Sequence, residues 1–446
     1  MLALIQDGQR GISLVPAKTD PMPEKIGGRI PSMHDDRIAV ALLTGGGDKP
    51  YAYGLTMALL SKGAAVDVIG GDDLDHSEFH CKPGLTFLNL RGDQNSDASI
   101  ANKLIRIVRY YARLFRYSAK TKAAIFHILW NNKFELFDRT LLMSYYRLLG
   151  KRIVLTAHNV NARRRDRTDT LLNRLTLRIQ YRLAHHIFVH TEKMKLEILH
   201  EFGVRASRVT VIPFGINNAV PNTDVTSADA KRQLGIQDGE RTILFFGRIT
   251  PYKGLEYLIT AFGQVRARHN GYRLVIAGRP EIGNEEYWSR IQAMVGEDVR
   301  EGRVLLRAGF IPDDETELYL KAADVLVLPY RQIYQSGVLF LAQSFGLPVL
   351  ASDVGSLKDD IAEGKTGFLF GREDPGDLAK AIEKYFASAL YRDLVVRRQD
   401  IRDYAAARHS WDVVGQITMS IYAALRRGHV RARLANGSVE LSPSDD

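Results

Sequence analysis

Short β-branched or leucine-rich runs alternate with longer amphipathic stretches along most of the chain, and they do so in two successive series. The first series reads RIAVALLTGGG, YAYGLTMALLSKG and AAVDVIGG, then KAAIFHILW, RIVLTAHNV, HHIFVHT and RVTVIPFG. The polar, turn-rich stretch NNAVPNTDVTSADAK interrupts it, and a second series follows with RTILFFG, YRLVIAG, RVLLRAGF, DVLVLPY and LPVLASD. A strand, helix, strand alternation at this spacing makes βαβ units, and βαβ units make a parallel sheet covered by helices on both faces. The chain is therefore expected to be α/β, with two doubly wound domains that meet near residues 216–226. Such sheets bind ligands outside the C-terminal ends of their strands, so two of them facing one another enclose a cleft suited to joining two substrates.

With 446 residues, 45% hydrophobic and 25% charged, the chain can bury two such cores. Its single cysteine, Cys81, excludes an internal disulfide and a cysteine-rich metal site, and fits a reducing compartment. The start, MLALIQDGQRGIS, lacks the basic and apolar regions of a secretory signal, so a cytoplasmic location is expected. The uncharged run from Gln332 to Ser352 is long enough to cross a bilayer, but its Gln, Ser, Gly and Pro residues read better as a buried helix followed by a buried strand.

Charge is concentrated in one place. Residues 101–182 hold 19 Lys and Arg against 4 Asp and Glu. Within them NKLIRIVRYYARLFRYSAK reads as an amphipathic helix, with Leu104, Val108, Tyr111, Leu114 and Phe115 available to an apolar face and Arg106, Arg109, Arg113 and Arg116 on the remaining arc. A core-packing helix with a solvated face fits this pattern. So does a surface that lies against anionic lipid, which the interleaved aromatic residues favour. No nucleic-acid reader motif accompanies the basic residues, so nucleic acid is not expected as a partner.

Three turns carry chemistry. Gly45, Gly46 and Gly47 follow the first strand in LTGGGDKPYAYG; glycines there suit the close approach of an anion or polar ligand, and suit a plain tight turn equally well. They do not form the dinucleotide fingerprint. In FFGRITPYKG, Arg248 leaves a strand and Lys253 stands at the entry of the next helix, where the macrodipole disfavours a cation unless an anion sits nearby. A fork and a point charge so placed suit a diphosphate. After Tyr330, Ser336 and Gly337 open an apolar helix whose first N–H groups would face the same crevice. In RIVLTAHNVN, Thr156, His158 and Asn159 end a strand at the cleft, a place that favours function over structure for the histidine. No His, Asp or Glu cluster has metal-ligand spacing, and GGDDLDH at 70–76 reads as a solvated turn.

In this order, TGGG, TAHNV, VIPFGIN, FFGRITPYKG with LEYLITAF, YLKAADVLVLPY and SFGLPVLASDVGS resemble the GT-B glycosyltransferases of family 4 (glycosyl transferases group 1), over roughly residues 37–425. The resemblance implies two Rossmann-like doubly wound domains facing each other across a cleft. It divides the chain into a flexible tail (1–35), an acceptor domain (36–222), a nucleotide-sugar donor domain (223–408), a helix crossing back to the first domain (409–428) and a flexible tail (429–446). It implies a metal-independent hexosyltransferase that uses a nucleotide diphosphate sugar as substrate, needs no cofactor, and acts on a lipid-linked or polysaccharide acceptor of cell-envelope polysaccharide synthesis. With residues 101–182 against anionic lipid, that activity would sit at the cytoplasmic membrane face.

Arg248 and Lys253 match the pair that binds the donor diphosphate, and Ser336, Gly337 and Val338 the loop whose amides meet the same group. His158 matches the catalytic-site histidine near the donor sugar, and Gly45, Gly46 and Gly47 the glycine loop on the acceptor side. Asn217 takes the place of a usual acidic residue. The two glutamates that the family carries with seven residues between them are replaced here by Ile333 and Leu341. Donor binding then falls partly to other groups, with Tyr334, Gln335 and Gln343 nearby, and retention or inversion at the sugar is left open. The alternative is a catalytically degenerate GT-B chain that binds nucleotide sugars. A nucleotide-sugar epimerase would need further acidic residues in the cleft.

Overall fold

The computed structural model describes residues 37–75, 77–93, 99–132, 134–165, 168–217 and 220–437. Two parallel sheets account for both series of apolar runs. The first contains β1 (Ala39–Leu43), β2 (Ala65–Gly70), β3 (Leu85–Asn89), β4 (Ile125–Ile128), β5 (Arg152–Thr156), β6 (His186–Val189) and β7 (Val209–Val211) in the order β3-β2-β1-β4-β5-β6-β7. The second contains β8 (Arg241–Phe246), β9 (Tyr272–Gly278), β10 (Val304–Ala308), β11 (Val325–Leu328), β12 (Val349–Ser352) and β13 (Gly367–Phe370) in the order β10-β9-β8-β11-β12-β13. Both belong to one compact unit that begins at Ile38. Strands such as VLVL in β11 and VLAS in β12 are buried at every position because helices cover both faces of the sheet, which is why they read as unbroken apolar runs.

Six helices matter most for the site. They are α1 (Lys49–Ser61), α2 (Ile100–Lys120), α3 (Glu192–Phe202), α4 (Leu255–Arg268), α5 (Gly337–Ser344) and α6 (Trp411–Gly437). The uncharged run 332–352 folds as a loop, the buried-face helix α5 and the buried strand β12. Among the described residues no helix is long and apolar enough to cross a membrane.

Helix α6 packs on α1 and lends Val414 and Tyr422 to the core of the first sheet. Trp411 fills the space over Gly54 and Gly215, where any side chain would collide with its indole. The two crossings between the halves lie side by side: the Ile216 amide donates to the His409 carbonyl at 3.0 Å, and the Trp411 indole donates to the Ile216 carbonyl at 2.8 Å. Deeper in, His127 interrupts the apolar β4, and its two ring nitrogens lie 2.5 Å from the Tyr422 hydroxyl and 2.7 Å from the Thr156 hydroxyl. Burial drives its pKa down to about 3, so the ring is neutral and needs both partners.

The structure departs from sequence expectation in three places. Thr156 does not face the cleft; it is buried and engaged by His127. The core-facing positions of α2 are Tyr110, Leu114 and Ser118, while Leu104 and Val108 are 58% and 61% exposed, because the first turns of the helix extend beyond the sheet. Helix α6 continues through Gly437, past the expected end at 428. The expected tail 1–35 and residues 438–446 lie outside the described residues, as does His76 of the 70–76 turn, whose Asp72–Leu74 forms a single 3₁₀ turn.

Replacing Tyr422 by Phe leaves one nitrogen of a buried neutral imidazole without a partner. The cost of such a group is about 1–3 kcal/mol. Urea unfolding followed by tryptophan fluorescence is expected to show an earlier midpoint for Tyr422→Phe, and a larger shift still for Tyr422→Ala, which adds a cavity.

Candidate active site

In each sheet the strand order turns around at one point, between β1 and β4 and between β8 and β11. The loops that leave these strands must diverge to opposite faces, so a crevice opens between them. In the second sheet the crevice is bounded by Gly247–Gly254 and by 329–336, and its floor is the start of α5.

Lys253 is buried there, with Nζ 5.3 Å from the centre of the Tyr330 ring. Gly247 has a left-handed φ of 102°, and a Cβ on it would stand 2.9 Å from Lys253 Nζ and 3.4 Å from a methyl of Val338. Only glycine leaves that opening between the ammonium and the helix start. Ser336 caps α5, its hydroxyl accepting from the Leu339 amide at 3.4 Å. The first N–H groups of an α-helix have no intrahelical acceptor, so the Gly337 and Val338 end of α5 adds partial positive charge beside Lys253. Arg248 stands apart from them, 63% exposed and paired with Glu281 at 3.2 Å. An exposed pair of this kind is worth at most about 1 kcal/mol, so an arriving anion can draw the guanidinium away from Glu281.

The first sheet presents a different surface. Gly45 and Gly46 have left-handed φ values of 57° and 75°, and side chains on them would collide with the Trp130 carbonyl and the Arg91 guanidinium. A side chain on Gly47 would collide with the Trp130 indole. The glycines therefore let Trp130, at the end of β4, close over the loop. Trp130 in turn stacks on His158, ring centres 4.1 Å apart and planes nearly parallel. Tyr51 meets the other side of His158 edge-on at 4.6 Å, and His190 Nε2 lies 3.1 Å from His158 Nδ1. Burial, with His190 and His127 adding to it, holds the His158 pKa well below the ordinary histidine value. His158 is therefore a neutral ring at physiological pH, and its Nε2 is covered and has no hydrogen-bond partner. Asn217 follows Ile216 at the crossing between the halves, next to the carbonyl that Trp411 bonds.

The two surfaces meet at the start of α5. A Cβ on Gly337 would be 3.5 Å from a carboxylate oxygen of Asp48 and 3.9 Å from the Phe214 ring. Asp48 also caps α1, accepting from the Tyr51 amide at 3.1 Å. The surrounding cleft walls raise its carboxyl pKa, against the Tyr51 bond that lowers it. Phe214 stacks on Phe340 of α5 at 5.3 Å and touches Tyr51 and His190. The structure thus gathers Lys253, Ser336, Gly337 and Val338 at one point, with Asp48 above them. It places His158 behind Tyr51 and Trp130, and Arg248 at the rim.

The sequence pattern of the Glycosyltransferase Family 4 group matches residues 45–220, and that of the Glycosyl transferases group 1 family matches residues 240–388. The chain belongs to these glycosyltransferases. An uncharacterized glycosyltransferase of Methanocaldococcus jannaschii is 30% identical over 52% of this chain and 58% of its own length. D-inositol 3-phosphate glycosyltransferase of Acidothermus cellulolyticus is 28% identical over 57% of each chain. The match thus spans a little over half the length of these curated relatives. Among solved structures, sucrose-phosphate synthase from Thermosynechococcus elongatus superposes with a TM-score of 0.70 at 20% identity, covering 88% of this chain and 100% of that one. HepE of Anabaena, solved in complex with UDP-glucose, gives 0.66 at 16% identity, covering 86% and 99%. At these identities the likeness establishes the fold, which is GT-B.

Where the family carries its two glutamates, Ile333 and Leu341 are buried in the apolar core of the second half. The polar residues near them are committed elsewhere. Tyr334 reaches across to the first half, packs into its core and donates to Glu197 on α3 at 2.8 Å. Gln343 is fully buried and donates to the Asp360 carbonyl at 3.1 Å, so it does not reach the cleft. Gln335 donates to the Asp360 carboxylate at 3.2 Å. The loop 331–334 separates two cavities. One, of about 860 Å³, runs from Arg164 and Glu197 to Tyr334 and Ser356. The other, of about 640 Å³, lies between Thr250, Asn284, Arg331 and Glu373. Among the described residues no group of three His, Cys, Asp or Glu is placed to hold a metal ion.

Behind α5, Asp360 is buried 3.9 Å from His409 Nε2, and burial raises its pKa to about 7. A carboxyl that ionises near 4 when unfolded and near 7 when folded stabilises the fold below pH 4 and loses that contribution as pH rises to 7. The full change is about 4 kcal/mol at 1.36 kcal/mol per pH unit. Between pH 5 and 8 the melting temperature of the native chain is therefore expected to fall relative to that of Asp360→Asn, as read by differential scanning fluorimetry on both proteins.

Proposed function

We propose that the chain transfers a hexosyl group from a nucleotide diphosphate sugar to a lipid-linked or polysaccharide acceptor, without a metal or cofactor. The observation that carries this reading is the buried Lys253 ammonium, held at the opening that Gly247 leaves beside the first turn of α5. An anion at this opening would be attracted both by the ammonium and by the partial positive charge of the helix N-terminus. A diphosphate suits such a place, and it also gains negative charge as the glycosidic bond to the sugar breaks. Lys253, the amides of Gly337 and Val338, and Arg248 drawn inward from Glu281 stabilise the departing nucleoside diphosphate, which is the work a metal ion does in other transferases. The HepE structures with UDP and with UDP-glucose support the same class of donor for this fold.

In this reading the neutral His158 ring, packed against Tyr51 and Trp130, shapes the wall beside the donor sugar and does not act as a cation. The acceptor approaches from the first half through the cavity lined by Arg164 and Glu197. The basic segment 101–182 holds the chain at the cytoplasmic face of an anionic membrane, by about 1 kcal/mol per basic residue near the surface. A second reading, a chain that binds nucleotide sugars without turning them over, is favoured by the apolar Ile333 and Leu341.

A panel of UDP-, GDP- and ADP-sugars tests both readings. One donor is expected to raise the melting temperature and to be slowly hydrolysed to free nucleoside diphosphate. Lys253→Ala should lower that rate by roughly 10²–10³-fold, the usual cost of removing one preorganised charge stabiliser, and Arg248→Ala, whose guanidinium must first leave Glu281, by less. EDTA should leave it unchanged. Donor binding that survives in Arg248→Ala at parental strength would remove the diphosphate assignment, and binding without turnover in the presence of lipid-linked acceptors would favour the second reading.

A further inference from the structure

The cleft is not the only concave surface in the first half. A groove of about 1040 Å³ runs along α2, walled on one side by Val108, Ala112 and Phe115 and on the other by Phe134, Leu136 and Phe137. Its walls are mostly apolar, with Asn132, Glu135 and Arg163 among them, and they are open to solvent: Val108 is 61% exposed, Phe134 46% and Leu136 53%. Leu104 and Ile105 extend the same apolar surface toward the helix start. An uncovered apolar surface of this kind marks a binding site for an apolar partner more often than it marks chance.

Two further observations select the partner. The groove holds Arg163 in its wall, and the exposed Arg109 and Arg116 lie on the flank of the helix beyond Ala112, with Arg113 further round. An apolar slot with a cationic margin complements an amphiphile with a hydrocarbon chain and an anionic head. The groove also ends beside the cleft. The short helix Ala162–Arg165 lies between them, with Arg163 in the wall of the groove and Arg164 in the wall of the 860 Å³ cavity. Neighbouring residues of one helical turn thus face the two spaces. Arg163 is tied to Glu135 at 3.2 Å, which fixes this end of the groove.

We propose that the groove between α2 and residues 134–137 holds the hydrocarbon chain of the acceptor, a single-chain anionic phospholipid-like amphiphile whose phosphate end passes Arg163 and Arg164 into the cleft. This rests on the glycosyltransferase reading with a lipid-linked acceptor, and it goes beyond attachment of the basic surface to a membrane because it places one chain in one slot.

The test is titration of the full chain with dodecyl phosphate below its micelle concentration, by isothermal calorimetry. Ala112→Trp fills the slot and Val108→Glu charges its wall, while Val395→Glu, 91% exposed in the second half, serves as control. The proposal expects one equivalent bound by the native chain and by Val395→Glu, and at least tenfold weaker binding by both groove variants. The thermal shift given by the donor sugar should be the same in all four, which shows that the groove variants are folded and separates this proposal from the donor-site reading. Equal dodecyl phosphate affinity across the four proteins would overturn the proposal. So would a native chain that binds vesicles of phosphatidylglycerol but no single chain, since only surface charge would then be at work. A concentration-dependent dimer that Val108→Glu dissociates would also overturn it, by making the groove a contact between copies.

Discussion

A parallel sheet covered on both faces has nowhere to receive a ligand except at its strand ends, and in this chain that constraint acts twice. The central strands are buried over most of their length, so within each sheet the crevice at the reversal of strand order is where backbone and solvent can meet. In the second half the crevice gathers Lys253, Val338 and the N-terminus of α5 around the space left by Gly247. In the first half the corresponding crevice is filled by the protein itself: Trp130 closes over Gly45 and Gly47 and stacks on His158, and Arg91 covers Gly46. The same architecture therefore yields a crevice lined by a cation and a helix N-terminus in one half and a largely aromatic one in the other. The difference follows from what stands after β4 and β11, an indole in one case and a capped helix in the other.

Much of this was legible in the sequence. Two series of apolar runs foretold two parallel sheets because buried strands cannot alternate. A lysine at a helix entry foretold that Lys253 and the start of the apolar helix after Tyr330 would share one crevice, because both stand at strand ends of the same sheet. What was not legible depended on contacts between distant segments. Trp130 and His190 end strands in KAAIFHILW and HHIFVHT just as His158 does in RIVLTAHNV, so a strand-end rule applied evenly would have found them. That Gly47 faces Trp130, or that Asp48 of the glycine loop stands over Gly337, depends on how two sheets are packed. The apolar arc of α2 misled for a related reason: amphipathicity shows which side of a helix avoids water, and the sheet beneath it decides how many turns are in fact covered. Thr156 was misplaced because a hydroxyl at a strand end serves a buried histidine as readily as a ligand.

The missing glutamates have a structural counterpart. Ile333 and Leu341 join the core of the second half, and the polar groups around them turn to Asp360 or, through Tyr334, to the opposite half. The loop that would carry a donor-binding carboxylate is thus used to fasten the two halves together. In the proposed reaction, donor recognition would fall to the cationic crevice and to the cavities on either side of residues 331–334.

The paired crossings at Ile216 and His409 also bear on how the molecule can move. Two chain segments that are hydrogen-bonded to one another, and locked by one indole seated over two glycines, behave as a single strap. Sliding or twisting of one half past the other would tear the strap, whereas rotation about its length would not. The cleft is accordingly built to open and shut like a book on its spine, and whatever enters it must do so from the fore-edge.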